Sequence, residues 1–226
     1  MCRLPAGLLA RFRDAAGDLP QRDDPVYARA GRDPRDPIFG LGPGDARIAF
    51  FGRDPGRDEV HVGVPFIGAG GRQVRRVLYR RHHHGEMVDT DDALKAGEAY
   101  FWANTVPYKP EGNRAWSMRV KRAFQPLVAE VLLSLWGGRH VISLGREAFF
   151  WFGIDQDRQV RQRLEHHWQQ PDRFETSLTI DFAGPQGAAR TLEIHPLPHP
   201  SPLNATWYKR FPGLLAQRLD ALEGRA

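Results

Sequence analysis

The 226-residue chain contains one cysteine, Cys2, and only four lysines (Lys95, Lys109, Lys121 and Lys209) among 32 basic residues. It has no apolar run approaching the ~20 residues of a membrane span. Each shortage excludes something. One cysteine cannot close a disulfide within the chain, and it cannot supply the about four thiolates that hold an iron–sulfur cluster. It suits a reducing compartment, so the expected location is the cytoplasm. Without a long apolar run or a signal-peptide pattern, no membrane partner is expected. The shortage of lysine beside so much arginine is a common mark of GC-rich coding and is not read as function. Two nucleotide-binding signatures are also missing. No Gly-Lys-Ser/Thr follows the glycines of residues 63–71, which excludes a P-loop, and no GxGxxG follows the first apolar run.

What is present begins with size and charge. At 41% hydrophobic residues the chain can fill one domain, and a second is not required. A formal net charge of +5 suits a polyanionic partner, though the excess is moderate. Residues 1–45, rich in Arg, Asp, Pro and Gly, read as an arm wrapping a domain formed by residues 46–226. Within the arm, Leu8, Leu9 and Phe12 suit a short helix, and Asp33-Pro34-Arg35-Asp36-Pro37 cannot be regular structure. The chain is read as a monomer.

The centre of the sequence is the stretch from Arg47 to Gly71. Ile48-Ala49-Phe50-Phe51 is a buried strand that stops at the turn formers Gly52-Arg53-Asp54-Pro55-Gly56. A tight segment, Gly63 to Gly71, then feeds a basic amphipathic helix from Arg72 to Arg81. A strand running through a glycine-rich loop into a helix is where open α/β sheets build ligand sites. Two readings of its residues stand side by side. Asp54 and Phe66 either cap a turn and fill the core, or present an acid and an aromatic face to a ligand.

Tyr100-Phe101-Trp102-Ala103 forms a second buried strand ending at Asn104, before a proline-punctuated loop with Lys109, Asn113 and Arg114. Asn104 either caps this turn or offers a planar donor–acceptor pair. Residues 117–136 are helical, with Pro126 expected to start a fresh helix. His140 to Gly145 is a third strand and turn before a helix. Residues 177–182 and 190–197 alternate as a strand pair, and residues 211–222 form a last amphipathic helix. Strands alternating with helices predict a three-layer α/β/α fold with a central, mostly parallel sheet of about four strands. His82-His83-His84 invites a metal reading, but adjacent side chains rarely converge on one ion, and no metal is assigned. The closing stretch, His199-Pro200-Ser201-Pro202-Leu203-Asn204, is a stiff loop after the last strand.

Three of these stretches resemble, in order, the motifs of the uracil-DNA glycosylase superfamily. Gly52, Pro55, Gly56, Asp58, Glu59, Gly63, Pro65, Phe66, Gly68 and Gly71 match the first motif of its thermophilic-type branch. Asp54 matches the Gly-x-Asp-Pro form of another branch, so the chain is a hybrid of the two. Asn104, Pro110, Asn113 and Arg114 match the second motif, without the cluster cysteine usual there. His-Pro-Ser-Pro-Leu at 199–203 matches the closing motif almost letter for letter.

The resemblance implies the uracil-DNA glycosylase fold and an enzyme that flips deoxyuridine from DNA and hydrolyses the N-glycosidic bond, leaving an abasic site. It makes Asp54 and His199 catalytic, and it gives base binding to Gly52, Phe66, Asn104 and Ser201. DNA contacts fall to Lys109, Arg114, Pro202, Leu203 and Asn204, with Leu203 as the wedge that fills the vacated stack. Neither metal nor organic cofactor is implied. Two alternatives stay open: a non-hydrolysing damage-binding protein of the same fold, or a glycosylase for another deaminated base such as hypoxanthine or xanthine.

Overall fold

The computed structural model describes residues 3–83 and 85–224, with the side chain of Asn113 outside the description. In chain order the elements are α1 (Ala6–Ala15), α2 (Asp24–Arg29), β1 (Ile48–Gly52), α3 (Arg57–Val62), α4 (Ala69–His82) and α5 (Thr90–Ala96). They continue with β2 (Phe101–Asn104), α6 (Met118–Ser134), β3 (His140–Leu144), α7 (Arg146–Trp151) and α8 (Arg158–Gln169). The hairpin β4 (Leu178–Ala183) and β5 (Ala189–Leu197) follows, then α9 (Ala205–Tyr208) and α10 (Phe211–Glu223).

The sheet has five strands in the order β2-β1-β3-β5-β4, one more than the sequence suggested. β1 pairs in parallel with β2 and β3, and β3 with β5, while β4 is the antiparallel edge. Alternation along β1 sends Phe51 to one face and Ile48 and Phe50 to the other, which gives two cores. The first core packs α1, α6, α7 and α8 against the sheet. The second packs α4 and α10. The three-layer α/β/α arrangement follows.

One helix differs from the sequence reading. Pro126 does not restart a helix, because α6 runs unbroken from Met118 to Ser134. Its buried face is continuous across the proline, from Val120 and Phe124 to Val128 and Leu132. The ring removes one helical N–H and its carbonyl partner bond, but packing against α1 and β2 holds the residues on both sides of it in one helix. The N-terminal arm carries the short helix expected at Leu8, Leu9 and Phe12. Leu8 and Phe12 of α1 enter the first core, and Leu41 exchanges both backbone hydrogen bonds with Trp102 on β2.

Candidate active site

The parallel register sets the site. Gly52 pairs with Asn104 at the C-terminal ends of β1 and β2, so the two loops that follow begin side by side. Thr105 N–H bridges to the Gly52 and Arg53 carbonyls (2.9 and 3.0 Å), and its hydroxyl also donates to the Arg53 carbonyl at 2.5 Å. Residues 53–54 are thereby fixed to β2 before the chain turns. Above these strand ends lies a cavity of about 1030 Å³. Gly52, Asp54, Phe66, Asn104, Lys109, His199, Ser201, Pro202, Leu203 and Asn204 all line it. Arg114 is exposed and stands outside that lining.

The Asp54 side chain is almost fully buried and ion-paired with Arg53 Nε at 2.9 Å. Burial pushes its carboxyl up to about 7, against the opposing pull of Arg53 and Lys121. An acid that titrates near neutrality can take or hold a proton at working pH. His199 is driven the other way. Burial, with the charge of Arg53 adding to it, lowers its imidazole to about 4, so it is neutral at pH 7. A neutral imidazole still has one N–H to donate.

Phe66 sits at φ 60°, a left-handed conformation unusual for an aromatic residue. Two features hold it there. Gly71 packs directly against the Phe66 backbone, where a Cβ would lie 2.1 Å from its carbonyl carbon. Buried Arg75 donates to the carbonyls of Phe66 (2.8 Å), Pro65 (3.2 Å) and Ala93 (2.7 Å) while its guanidinium lies over Trp102. The ring of Phe66 in turn covers Gly52, whose missing side chain leaves the space it occupies. Asn104 is buried with its Oδ1 lacking any hydrogen-bond partner. A buried amide oxygen is seldom left unpaired, and one that lines a cavity is available to a ligand N–H.

The two halves of the first motif are joined by Glu59. Its buried carboxylate accepts from the backbone of Gly56 (3.0 Å), Ile67 (3.2 Å) and Gly68 (2.7 Å). The sequence placed Glu59 in the motif without a role. Only the fold shows that it ties the Asp54 loop to the Phe66 turn. Arg53 and Thr105 were missed as well, since neither carries a signal apart from its neighbours.

The closing loop presents Leu203 almost bare, 96% exposed, at its tip. Its base is braced: Asn204 Nδ2 donates to the His199 carbonyl (3.2 Å), and Leu203 N–H to Ser201 Oγ (3.2 Å). Lys109 is placed differently from a phosphate-contacting cation. It is buried, with Nζ bonded to Asp23 Oδ2 (2.8 Å) and to the Pro110 carbonyl (2.9 Å). Asp23 belongs to the N-terminal arm, which also contributes Val26 and Arg29 to the cavity wall.

A family model for the uracil DNA glycosylase superfamily matches residues 39–223. The chain belongs to that superfamily. Comparison with curated proteins finds no match. Membership makes it a member of a DNA glycosylase family of base excision repair, with DNA as the substrate polymer. Among the described residues no helix is long and apolar enough to cross a membrane.

Of the histidine run, His82 meets the Tyr100 hydroxyl (3.0 Å) and His83 stacks on Tyr79, while His84 lies outside the described residues. A different cluster, His140, Glu193 and His195, brings three ligand-type atoms within 4.8 Å at the opposite end of β3 from the cavity. Arg218 Nη1 lies 3.3 Å from His195 Nδ1 and can only donate. The His195 proton must therefore sit on Nε2, which faces His140 Nδ1 at 3.2 Å. That nitrogen then donates to His140 within a hydrogen-bond relay.

Proposed function

We propose that the protein is a monofunctional uracil-DNA glycosylase that flips a deoxyuridine into the cavity and hydrolyses its N-glycosidic bond. The observation that carries this reading is the convergence of four groups around Gly52: an acid poised near neutrality, a neutral imidazole, an aromatic face and an unpaired amide oxygen. Each suits one demand of the reaction. The sugar gains oxocarbenium character, and Asp54, once ionised, stabilises it and takes a proton from the attacking water. The base leaves as an anion, and the N–H of neutral His199 meets the charge building on its oxygen. Phe66 stacks on the face of the base. Asn104 pairs its free Oδ1 with the ring N–H and its Nδ2 with the neighbouring carbonyl. Cytosine offers a bare nitrogen and an amino group at that edge, so it is refused.

Leu203, on its braced loop, enters the stack from which the nucleotide departs, with Pro202 stiffening the tip and Ser201 and Asn204 at its base. Backbone phosphates are met by the loops bordering the cavity, including exposed Arg114. Lys109 acts at one remove, by holding the arm against the second loop.

Hypoxanthine displays the same carbonyl and N–H edge as uracil, so Asn104 alone does not separate the two. The test is an oligonucleotide carrying one deoxyuridine, cleaved with alkali after incubation, beside matching substrates with hypoxanthine and xanthine. Strand scission at uracil, lost in Asp54→Asn and His199→Ala, is the expected result. Scission only at another base would reassign the lesion. Tight binding without scission at any base would make the protein a damage sensor.

A further inference from the structure

Arg53 pairs with one of the two groups to which the chemistry is assigned and shares the cavity wall with the other, and no motif gives it a role. Its backbone is held by both the N–H and the hydroxyl of Thr105, its Nε is 2.9 Å from Asp54 Oδ2, and it lines the same cavity as His199. We propose that Arg53 is a positioning residue that orients the Asp54 carboxylate and sets the charge state of both reacting groups. The inference rests on the glycosylase reading for its consequence in turnover, but not for its effect on the two groups themselves.

The physical basis is that one cation acts in a useful direction on each group. Beside Asp54 it favours the carboxylate, and so opposes the burial that favours the neutral acid. Toward His199 it disfavours a second positive charge and so adds to the burial that already favours the neutral imidazole. The other charged groups acting on Asp54 are Lys121, on α6, and Glu147, on α7. These two contact each other directly and their fields at Asp54 oppose, with that of Lys121 the stronger. The neutral group facing it is the Thr105 hydroxyl, 3.5 Å from Oδ1. On His199 the acting charge is that of Arg53. Arginine also suits the place geometrically, because a planar guanidinium fixes the direction of its partner where an ammonium would not.

The test compares wild type with Arg53→Met, Arg53→Gln and Arg53→Lys in the full chain, after thermal melts identify the folded variants. In turnover on the deoxyuridine oligonucleotide, loss of the cation moves the acid limb of the rate profile upward by about one pH unit. Activity near pH 6 then falls about tenfold, and the deficit narrows as pH rises. Arg53→Lys, which keeps the charge, lies between wild type and Arg53→Met. An acid limb shared by wild type and the neutral variants, or a lysine variant as displaced as methionine, overturns the proposal. NMR titration of the Asp54 carboxyl carbon and the His199 ring is run in parallel and requires no turnover. If uracil proves not to be the substrate, an upward move of both titrations in the neutral variants still supports the inference, and unmoved titrations refute it.

Discussion

A β-carbon placed on Gly52 would lie 2.5 Å from Cζ of Phe66, so the ring above the end of β1 occupies the space a side chain there would need. Asn104 Nδ2 is 3.6 Å from the same point. Gly52→Ala therefore forces the ring away from the Asn104 amide without touching either the acid or the imidazole. Overpacking of this kind costs about 1–3 kcal/mol. We expect a modest drop in melting temperature and a loss of about tenfold or more in kcat/KM, read by single-turnover kinetics. Wild-type kinetics in this variant would show that Phe66 does not stack on the base.

Glu59 sets the relation between the acid loop and the aromatic turn by accepting three backbone N–H groups. In Glu59→Ala the buried Ile67 N–H and the half-buried Gly56 and Gly68 N–H groups lose their acceptor, at a cost on the order of 2–4 kcal/mol. Glu59→Gln keeps one acceptor oxygen and should fall between. Chemical denaturation measures the stability, and a parallel assay should show turnover falling further than the loss of folded protein explains.

Asp54 makes the fold less stable as the site becomes active. Its carboxyl titrates at about 7 in the folded protein, against an ordinary value of 3.8, so the folded state holds this proton more tightly than the unfolded chain. The contribution is full below the unfolded value and disappears as pH rises through about 7. The ionised, buried carboxylate then costs on the order of 4 kcal/mol. Asp54→Asn mimics the neutral acid at every pH. Its melting temperature should exceed that of wild type at pH 8, and the gap should close near pH 4, while turnover is abolished throughout. A gap that does not change with pH would mean that Asp54 titrates normally.

Lys109 and Asp23 form a buried pair joining the second loop to the arm. Removing one partner strands the other charge, so Asp23→Ala should destabilise by about 3–5 kcal/mol. Lys109→Met should do likewise and leave the salt dependence of DNA binding unchanged. A slope reduced by about one in log Kd against log salt would instead return Lys109 to a phosphate.

The layers and the site were legible to different degrees. Alternating burial along β1 and the strand–turn–helix rhythm carried the three-layer fold, because backbone periodicity is a local property. Asp54, Asn104 and His199 could be placed because each directly ends or follows a strand, and a parallel sheet gathers such positions at one edge. Arg53, Thr105 and Glu59 could not, since their roles are relations between loops distant in sequence. Lys109 misled for the same reason: a lysine in a polar loop reads as exposed until its partner, 86 residues earlier, is known. Pro126 misled through a local rule that tertiary packing outweighed.

The bond from Asn204 to the His199 carbonyl makes the closing loop a lever with the imidazole at one end and Leu203 at the other. The bond is to the backbone of the residue whose imidazole lines the cavity, so the exposed tip and that imidazole are held in one fixed relation before any nucleotide arrives.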